Sequence, residues 1–525
     1  MLHVQPSTDE LGHPLDQSGE LPFPDLPVTS LERISSDQVA LVHSHHEHLI
    51  SFHDSVACRS GPGRKMRQRQ AARRLWPIIV ASSLSLITYG LIFPQSRLGT
   101  QLTGRPFDYL LTQQSKAGSF LDAGDDFNNL HLTEEQCQVT FPGLTKEIDA
   151  AVSEGEFQLG LRDISVSLLG QVKDNRILIL QAPRPVDMSD QWLQRQNAAL
   201  HQLNRALVTS STPLPDTFFN LYIQDTPVSR SWSHSRPAIS PSPKHIFTIP
   251  HFSFWAWNQP FIRSISHAAA AITDIEASLP FDMKDRRAVW RGTTWFNNGA
   301  SANPRSRQEL LRITDDAKWA DVQALEWVNN GENATNALMI EDFCRHKYIV
   351  HTEGVSYSGR LQFHQLCESV LLSPPMEWMQ HTTHLIKPVY SSALLGQKSG
   401  TNAESVATTK SQSRHPSSRT RETWPVTVGP GEANAVFVNP DWSDLEATIN
   451  WLEDHAEVAR GIARRQRALF FERGYLSPAA EVCYWRALVR GWSQVVRIDD
   501  IIQKNSESTS FEEFVTKTEM VRKRH

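Results

Sequence analysis

The stretch HKYIVHTEGVSYSGRLQFHQLCESVLLS, residues 346–373, decides the fold of this chain. It begins with an apolar run typical of a buried strand, passes through a glycine-containing turn and a helical segment, and ends in a second apolar run. This order favours parallel strands joined by a helix. The turn presents Gly354, Ser356 and Ser358, and Arg360 follows in the first helical turn. Free N–H groups, hydroxyls and a guanidinium predict a site for a diphosphate.

A second stretch upstream contains several arginines. Residues 288–311 read AVWRGTTWFNNGASANPRSRQELL, in which a short strand delivers Arg291 and Gly292 into a loop and a helix with Arg305 and Arg307 follows. Guanidinium groups pair bidentately with phosphate oxygens, and a rigid strand end positions them well. Taken alone, an ordinary solvated helix start is the better explanation of Arg305 and Arg307, and a role at the donor side is the alternative.

A third stretch, FFNLYIQDTP at residues 218–227, places Asp225 where an apolar strand ends. Ligands of open α/β sheets bind at the carboxyl ends of the strands. A carboxylate there is suited to accept the proton of an attacking hydroxyl. The alternative is that Asp225 only caps the following turn.

The remaining pattern predicts α/β layers with mostly parallel sheets. Strand-like runs alternate with helical patterns, as expected for that class. The runs are at 177–182, 218–223, 348–350 and 369–373, and the helical patterns at 192–208, 306–313 and 445–471. Residues 391–433 are rich in Ser, Thr, Gly, Lys and Arg and are predicted to be a low-complexity, loosely packed insertion. Asn333 begins an acceptor triplet for N-linked glycosylation.

Composition narrows the class of protein. A length of 525 residues predicts two or three folded units. A net charge of −5 argues against a protein whose main function is nucleic-acid binding. No cysteine or histidine spacing suggests a zinc site, so no metal is expected. Cys137, Cys344, Cys367 and Cys483 could form two disulfides with three possible connectivities, and the sequence does not choose between them.

Residues 75–93, LWPIIVASSLSLITYGLIF, are predicted to cross a membrane. They form 19 uncharged residues in a row, close to the length that spans a bilayer. Seven basic residues and no acid lie between Arg59 and Arg74, which places that side in the cytosol. The segment is therefore predicted to be a type II anchor, with the C-terminal part of the chain in the lumen. The alternative is that residues 75–93 form a buried helix in a protein core.

Taken together, several of these stretches resemble glycosyltransferase family 90, which includes protein O-glucosyltransferases and capsule-associated xylosyltransferases. The matching pieces are NLYIQDTP, AVWRGTTW, residues 346–372, and AVFVNPDWSDLEATINWL in the same order. The resemblance covers residues 213–474 and is strongest over 347–372. The chain departs from the family at Gly359, where an aromatic residue is common.

The resemblance implies a GT-B architecture of two Rossmann-like domains facing a cleft, and inversion of the anomeric centre of a UDP-sugar. It matches Asp225 to the general base, and Arg360 and Arg291 to arginines that hold the donor diphosphate, with Ser356 and Ser358 nearby. It implies a UDP-sugar as co-substrate, with no other cofactor and no metal. The expected product is a glycan or glycoprotein that has gained xylose or glucose.

The expected organisation is a cytosolic disordered tail (1–74), the transmembrane anchor (75–93), a stem (94–126), an acceptor-side Rossmann-like domain (127–275), a nucleotide-sugar-binding Rossmann-like domain (276–500) and a polar tail (501–525). The expected location is the Golgi or endoplasmic reticulum membrane, with the catalytic part in the lumen. The competing function is a membrane-anchored glycan-binding protein that has the fold but no turnover.

Overall fold

The computed structural model describes residues 126–239, 244–331, 333–396, 416–500, 502 and 507–522. The predicted tail 1–74, the span 75–93, nearly all of the stem 94–126 and residues 397–415 of the predicted insertion lie outside these ranges. In the described part of the chain, no helix has the length and apolar character needed to cross a bilayer.

The described residues form a mixed α/β structure. Its helices are α1 (Glu134–Thr140), α2 (Lys146–Ser153), α3 (Asp190–Val208), α4 (Ile265–Ser278), α5 (Ser306–Ile313), α6 (Leu361–His364), α7 (Ser391–Leu395), α8 (Ser418–Thr423), α9 (Leu445–Asp454), α10 (Ala456–Arg467), α11 (Pro478–Val495) and α12 (Phe511–Arg522). A π-helical turn, Ala468–Glu472, extends α10. Shorter 3-10 turns lie at Asp126–Asn128, Pro185–Asp187, Phe252–Phe254, Phe281–Met283, Asn329–Gly331, Ile340–Arg345 and Thr383–Leu385.

The strands are short. They are β1 (Phe157–Leu159), β2 (Leu168–Lys173), β3 (Arg176–Gln181), β4 (Thr217–Leu221), β5 (Ser231–Ser233), β6 (Arg236–Pro237), β7 (Ile246–Thr248), β8 (Asp285–Gly292), β9 (Ala320–Ala324), β10 (Trp327–Val328), β11 (Asn333–Ala334), β12 (His346–Val350), β13 (Val370–Ser373), β14 (Trp378–Met379), β15 (Pro388–Tyr390), β16 (Ala435–Phe437), β17 (Val496–Ile498) and β18 (Thr509–Ser510).

The described residues contain two six-stranded sheets, named the first and the second in chain order. The second sheet is wholly parallel, as the sequence predicts. Its order is β15-β16-β13-β12-β8-β9. Its central strand β12 is buried at every residue, which is usual for a parallel sheet covered on both faces. Apolar clusters lie on each face, and the inner strands β13 and β16, with the YIV part of β12, accordingly read as apolar runs rather than alternating ones.

The first sheet differs from the expected mostly parallel pattern. Its order is β18-β3-β2-β4-β5-β7, and the β18–β3, β3–β2 and β2–β4 pairings are antiparallel. Strands β2 and β3 are joined by Asp174 and Asn175, both with positive φ (48° and 60°). That two-residue turn matches the twist of a hairpin and forces antiparallel pairing. Only β4, β5 and β7 run parallel.

The C-terminal part returns to the first sheet. Helix α11 packs against α2, α3 and β4, and Cys483 on it is bonded to Cys137 on α1. Strand β18 pairs with β3, and α12 buries Phe511 and Val515. The segment expected to be a polar tail thus contains a strand and a helix, because regularly spaced apolar residues dock it on the sheet.

Much of the segment 391–433 is ordered, contrary to the predicted loose insertion. Residues 391–396 and 416–433 lie within the described part, and they include helices α7 and α8. Leu394 and Trp424 are buried, and the Trp424 ring packs edge-on against Phe437 at a centroid distance of 5.0 Å. A few apolar side chains anchor this segment although its overall composition is polar.

Candidate active site

One cavity brings most of the predicted site residues together. Its volume is about 450 Å³, and it lies where the loops after β8 and β12 meet the loop after β4. The predicted site residues that line it are Asp225, Arg291, Gly292, Arg307, Gly354, Ser358 and Arg360. The carboxyl ends of parallel strands therefore face a ligand-sized space, as open α/β sheets do.

Arg307 is buried beneath the loop that follows β12. Its Nε donates to the Thr352 hydroxyl and the Glu353 carbonyl, both at 3.1 Å, and its Nη1 donates to the Thr293 carbonyl at 2.8 Å. All three acceptors are neutral. Burial, together with the charge of Arg360, lowers the pKa of the Arg307 guanidinium to about 9. The group stays protonated at neutral pH, but no carboxylate among the described residues pairs with it.

Arg360 is the second cavity-lining arginine that has no carboxylate partner among the described residues. Its Nη1 donates to the main-chain carbonyl of Arg291, and burial lowers its pKa to about 10. Arg307 is buried and Arg360 is partly buried, so their positive charges are costly without counter-ions, and an anion that entered the cavity would offset that cost. The pair therefore favours a multiply charged ligand such as a diphosphate.

The main-chain amides of the turn contribute less than the sequence suggested. Helix α6 has only four residues, and Arg360 precedes it as the N-cap. A single turn aligns few peptide dipoles, so the positive potential at its start is weak. An anion in this cavity would therefore be held mainly by guanidinium groups.

Arg291 lines the cavity as predicted, but its guanidinium is occupied by protein partners. Each of its three side-chain nitrogens already has a protein acceptor: Nη2 pairs with Asp321 at 2.8 Å, Nη1 donates to two main-chain carbonyls, and Nε donates to the Asn336 carbonyl. Arg291 reaches the cavity wall, but its charge is compensated by Asp321. Its structural task is to join β8 to β9 and to present the carbonyl that accepts from Arg360.

Asp225 lies on the loop after β4, and its side chain is 48% exposed. The Arg195 guanidinium on α3 donates to its Oδ1 at 2.8 Å. Arg195 in turn lies over the Phe252 ring, 5.0 Å from its centroid. Sequence reasoning missed Arg195, because a single arginine on a polar helix face has no local pattern that marks it.

Ser356 and Ser358 separate in the structure. Ser358 lines the cavity, whereas the Ser356 hydroxyl donates to the main-chain carbonyl of Asp225 at 2.6 Å. Ser356 therefore joins the loop of the second sheet to the loop that carries the predicted base. It is 1% exposed and is not among the cavity-lining residues.

Gly359 lines the cavity at a point with no room for a side chain. A Cβ there would be 2.4 Å from His251 Nε2 and 3.0 Å from Trp257. In this chain His251 and Trp257 thus fill the space beside the Gly359 backbone. Burial, with smaller contributions from the charges of His234 and Arg195, holds the pKa of His251 well below its usual value, so its imidazole is neutral. The aromatic run HFSFWAW, residues 251–257, is the sequence signal that could have indicated this wall.

The rest of the cavity is mostly apolar on one side. The side chains there come from the loop before α4, from the segment after β9 and from the 3-10 turn before β12: Phe261, Ile262, Leu325, Trp327, Leu338, Ile340 and Phe343. Trp295 and Phe296, on the loop after β8, line the mouth and are 65% and 48% exposed. A ligand with both an anionic and an apolar part matches this division.

Two predicted residues lie elsewhere. Arg305 is exposed at the start of α5 and does not line the cavity, which agrees with the solvated helix start considered above. Asn333 is exposed on β11. The cysteines form the pairs Cys137–Cys483 and Cys344–Cys367, which selects one of the three connectivities that the sequence left open.

One group of potential metal ligands lies among the described residues. The one cluster of at least three suitable side chains there combines Glu276 with Cys344 and Cys367. The two sulfurs are bonded to each other, so neither is available as a thiolate ligand.

A parallel α/β sheet with two arginines near its carboxyl edge and a carboxylate across the cavity is an arrangement suited to a phosphorylated small molecule. The comparisons are more specific. Residues 168–392 match the model of glycosyl transferase family 90. The resemblance to this family is thereby confirmed over that region, which contains the cavity residues described above.

Two curated relatives extend the comparison. The chain is 23% identical to an O-glucosyltransferase rumi homolog of Anopheles gambiae over 301 residues, and 23% identical to an O-glucosyltransferase rumi homolog of Aedes aegypti over 307 residues. Each alignment covers 54% of this chain and spans 63% of the relative's length.

Proposed function

We propose that this chain is an inverting glycosyltransferase that moves a sugar from a UDP-sugar to a hydroxyl of a glycan or glycoprotein. One observation carries the proposal: a single cavity holds Asp225 together with the buried Arg307 and the partly buried Arg360, neither of which has an acidic partner among the described residues. A carboxylate and a diphosphate site are the two parts that a direct displacement at an anomeric carbon requires.

In the proposed reaction, Asp225 accepts the proton of the acceptor hydroxyl while the oxygen of that hydroxyl attacks the anomeric carbon. The bond from that carbon to the diphosphate breaks, and its electron pair goes to the departing phosphate oxygen. Arg307 and Arg360 stabilise the charge that grows there, an effect strongest in a buried site. The sugar passes through an oxocarbenium-like state and its configuration inverts.

The apolar compartment supports a nucleotide as the carrier of the phosphate. Its aromatic side chains, among them Phe261, Trp327 and Phe343, offer a stacking surface for a base. The two-sheet arrangement is compatible with the proposed GT-B architecture. Glucose and xylose are the favoured sugars, and the name of the two relatives, O-glucosyltransferase, is in keeping with glucose.

The proposed setting is the lumen of the Golgi or endoplasmic reticulum, with residues 75–93 as a type II anchor. Two disulfides within the described residues support an oxidising compartment. The exposed position of Asn333 is compatible with glycosylation there.

The first experiment measures thermal stabilisation of the full-length chain by UDP, UDP-glucose and UDP-xylose. A ligand at 100 times its Kd stabilises the folded state by about 2.7 kcal/mol, which raises the melting temperature by several degrees. Arg360→Met should abolish this rise. Arg305→Met, a matched loss of one exposed arginine outside the cavity, should retain it.

The second experiment measures sugar transfer to glycan and glycoprotein acceptors. Asp225→Asn should keep the stabilisation by UDP and lose transfer by about 10²- to 10⁴-fold, the usual contribution of a general base. A well-folded wild type that no nucleotide stabilises would refute the proposal, and glycan binding without turnover would then become the leading function.

A further inference from the structure

We propose that Arg195 is a positioning residue: it holds one carboxylate oxygen of Asp225 so that the other oxygen is left for the acceptor hydroxyl. The inference rests on the proposed function and adds a residue to it. Among the described residues, the hydrogen bond from Arg195 goes to Oδ1 of Asp225, and none reaches Oδ2. One oxygen is thus fixed and its neighbour is available.

Asp225 needs such support because of its position. It lies on the loop between β4 and β5, and its side chain is 48% exposed, so packing alone does not select one rotamer. Arg195, by contrast, lies in the second turn of the 19-residue helix α3 and is 16% exposed. Contact with the Phe252 ring at 5.0 Å fixes the guanidinium from its other side.

The main chain of Asp225 is held separately. The Ser356 hydroxyl donates to the Asp225 carbonyl at 2.6 Å, and Ser356 belongs to the loop that also presents Ser358 and Arg360 to the cavity. Ser356 thus sets the distance between the carboxylate loop and the anion-binding loop, and Arg195 sets the direction of the carboxylate. Two contacts from different elements define the placement of one functional group.

The purely structural alternative is that Arg195 only ties α3 to the loop after β4. A half-exposed ion pair contributes little to stability, because solvent screens it and two side chains must be ordered. The two roles therefore separate experimentally. Loss of a purely structural contact would change the melting temperature slightly and leave kcat unchanged, whereas loss of a positioning contact lowers kcat and does so only when the Asp225 carboxylate is present.

The test compares Arg195→Met, Arg195→Lys, Asp225→Asn and the Arg195→Met/Asp225→Asn double variant in the full-length chain. We expect Arg195→Met to lower kcat about 10- to 100-fold, the scale of a small misplacement of a reacting group. The acceptor KM and the thermal shift caused by UDP should stay close to wild type. Arg195→Lys keeps a cation near the carboxylate and should recover much of kcat.

Asp225→Asn removes the group through which Arg195 is proposed to act. In that background Arg195→Met should therefore have no further effect on the remaining rate. Arg460→Met is the matched control, since Arg460 also pairs with an aspartate, Asp282, at 2.6 Å but does not line the cavity. This control should leave kcat unchanged.

The outcomes separate the two proposals. An active wild type with an equally active Arg195→Met variant would overturn the positioning role alone. Loss of the UDP-induced rise in melting temperature in Arg195→Met would also overturn it, because Arg195 would then contribute to donor binding. Multiplicative losses of rate in the double variant would overturn it as well, because the two residues would then act independently. A wild type that transfers no sugar from any donor would overturn the proposed function and, with it, the role of Arg195.

Discussion

Gly359→Ala tests whether the cavity wall is as tightly packed as the structure shows. The added methyl would lie 2.4 Å from Nε2 and 2.8 Å from Cε1 of His251, and 3.0 Å from the Trp257 ring. Gly359 has no positive φ, so alanine fits the backbone and the whole effect comes from the clash. Favourable contacts between such atoms lie at about 3.5–4.0 Å, so one partner must move by about 1 Å.

Moving the His251 ring by about 1 Å would cost free energy, because the ring is held by several contacts. Its Nδ1 is 2.8 Å from the Ser253 hydroxyl and accepts from the Ser253 amide at 3.2 Å, and its ring packs on Phe252 at a centroid distance of 3.8 Å. Gln202 also donates to its main-chain carbonyl at 3.1 Å. Overpacking of this kind costs about 1–3 kcal/mol.

The assay is the melting temperature of the full-length chain, with and without UDP. We expect Gly359→Ala to lower it by a few degrees and to weaken the UDP shift, because the neighbouring Arg360 would be displaced. Gly299→Ala is the control, since a Cβ at Gly299 meets no atom within 4 Å. His251→Ala in the Gly359→Ala background should recover part of the UDP shift. Equal melting temperatures for Gly359→Ala and Gly299→Ala would refute the packing argument.

Three further predictions follow from the described contacts. Burial raises the pKa of Glu353 to about 8 despite main-chain N–H donors, so the folded chain keeps a proton that the unfolded chain releases near 4.5. Wild-type stability should fall between these pH values by up to about 1.4 kcal/mol per unit relative to Glu353→Gln, as measured by unfolding at pH 5 to 8. Removing the Cys344–Cys367 disulfide with two alanines should lower the free energy of unfolding by about 3 kcal/mol, because the two cysteines are 23 residues apart and the unfolded chain would gain the entropy of that open loop. Trp295→Ala should leave the melting temperature unchanged, because the side chain is 65% exposed, and raise the acceptor KM several-fold through lost stacking.

Each of these has a clear contrary result. Parallel pH profiles for wild type and Glu353→Gln would show that the carboxyl is ionised in the folded chain. Full stability of the double alanine variant in non-reducing buffer would show that the disulfide constrains little. An unchanged acceptor KM in Trp295→Ala would place the acceptor elsewhere.

The sequence predicted the second sheet well, and for a physical reason. Strand β13 and the YIV part of β12 are buried on both faces and therefore appear as short apolar runs followed by polar turns. The residues that follow such strands, among them Arg360, could be assigned to the cavity because parallel strands share one carboxyl edge.

Features that depend on distant partners could not be predicted. The pairing of Arg291 with Asp321 depends on β9 lying beside β8, which no local pattern specifies. Arg195 meets Asp225 only because α3 packs beside the loop after β4. The polar composition of residues 391–433 concealed Trp424, since a single buried indole can anchor a segment whose average character is hydrophilic.

The return of α11 and β18 to the first sheet has a consequence for biosynthesis. The ribosome releases residues 168–248 long before it makes residues 478–510, which complete that sheet and its packing. The first sheet therefore lacks its last strand and its packing helix while the second sheet is being synthesised. The apolar faces of the first sheet are covered only at the end of translation. Stop codons or truncations near residue 477 should thus damage the earliest part of the fold first, and the Cys137–Cys483 bond can form only when synthesis is almost over.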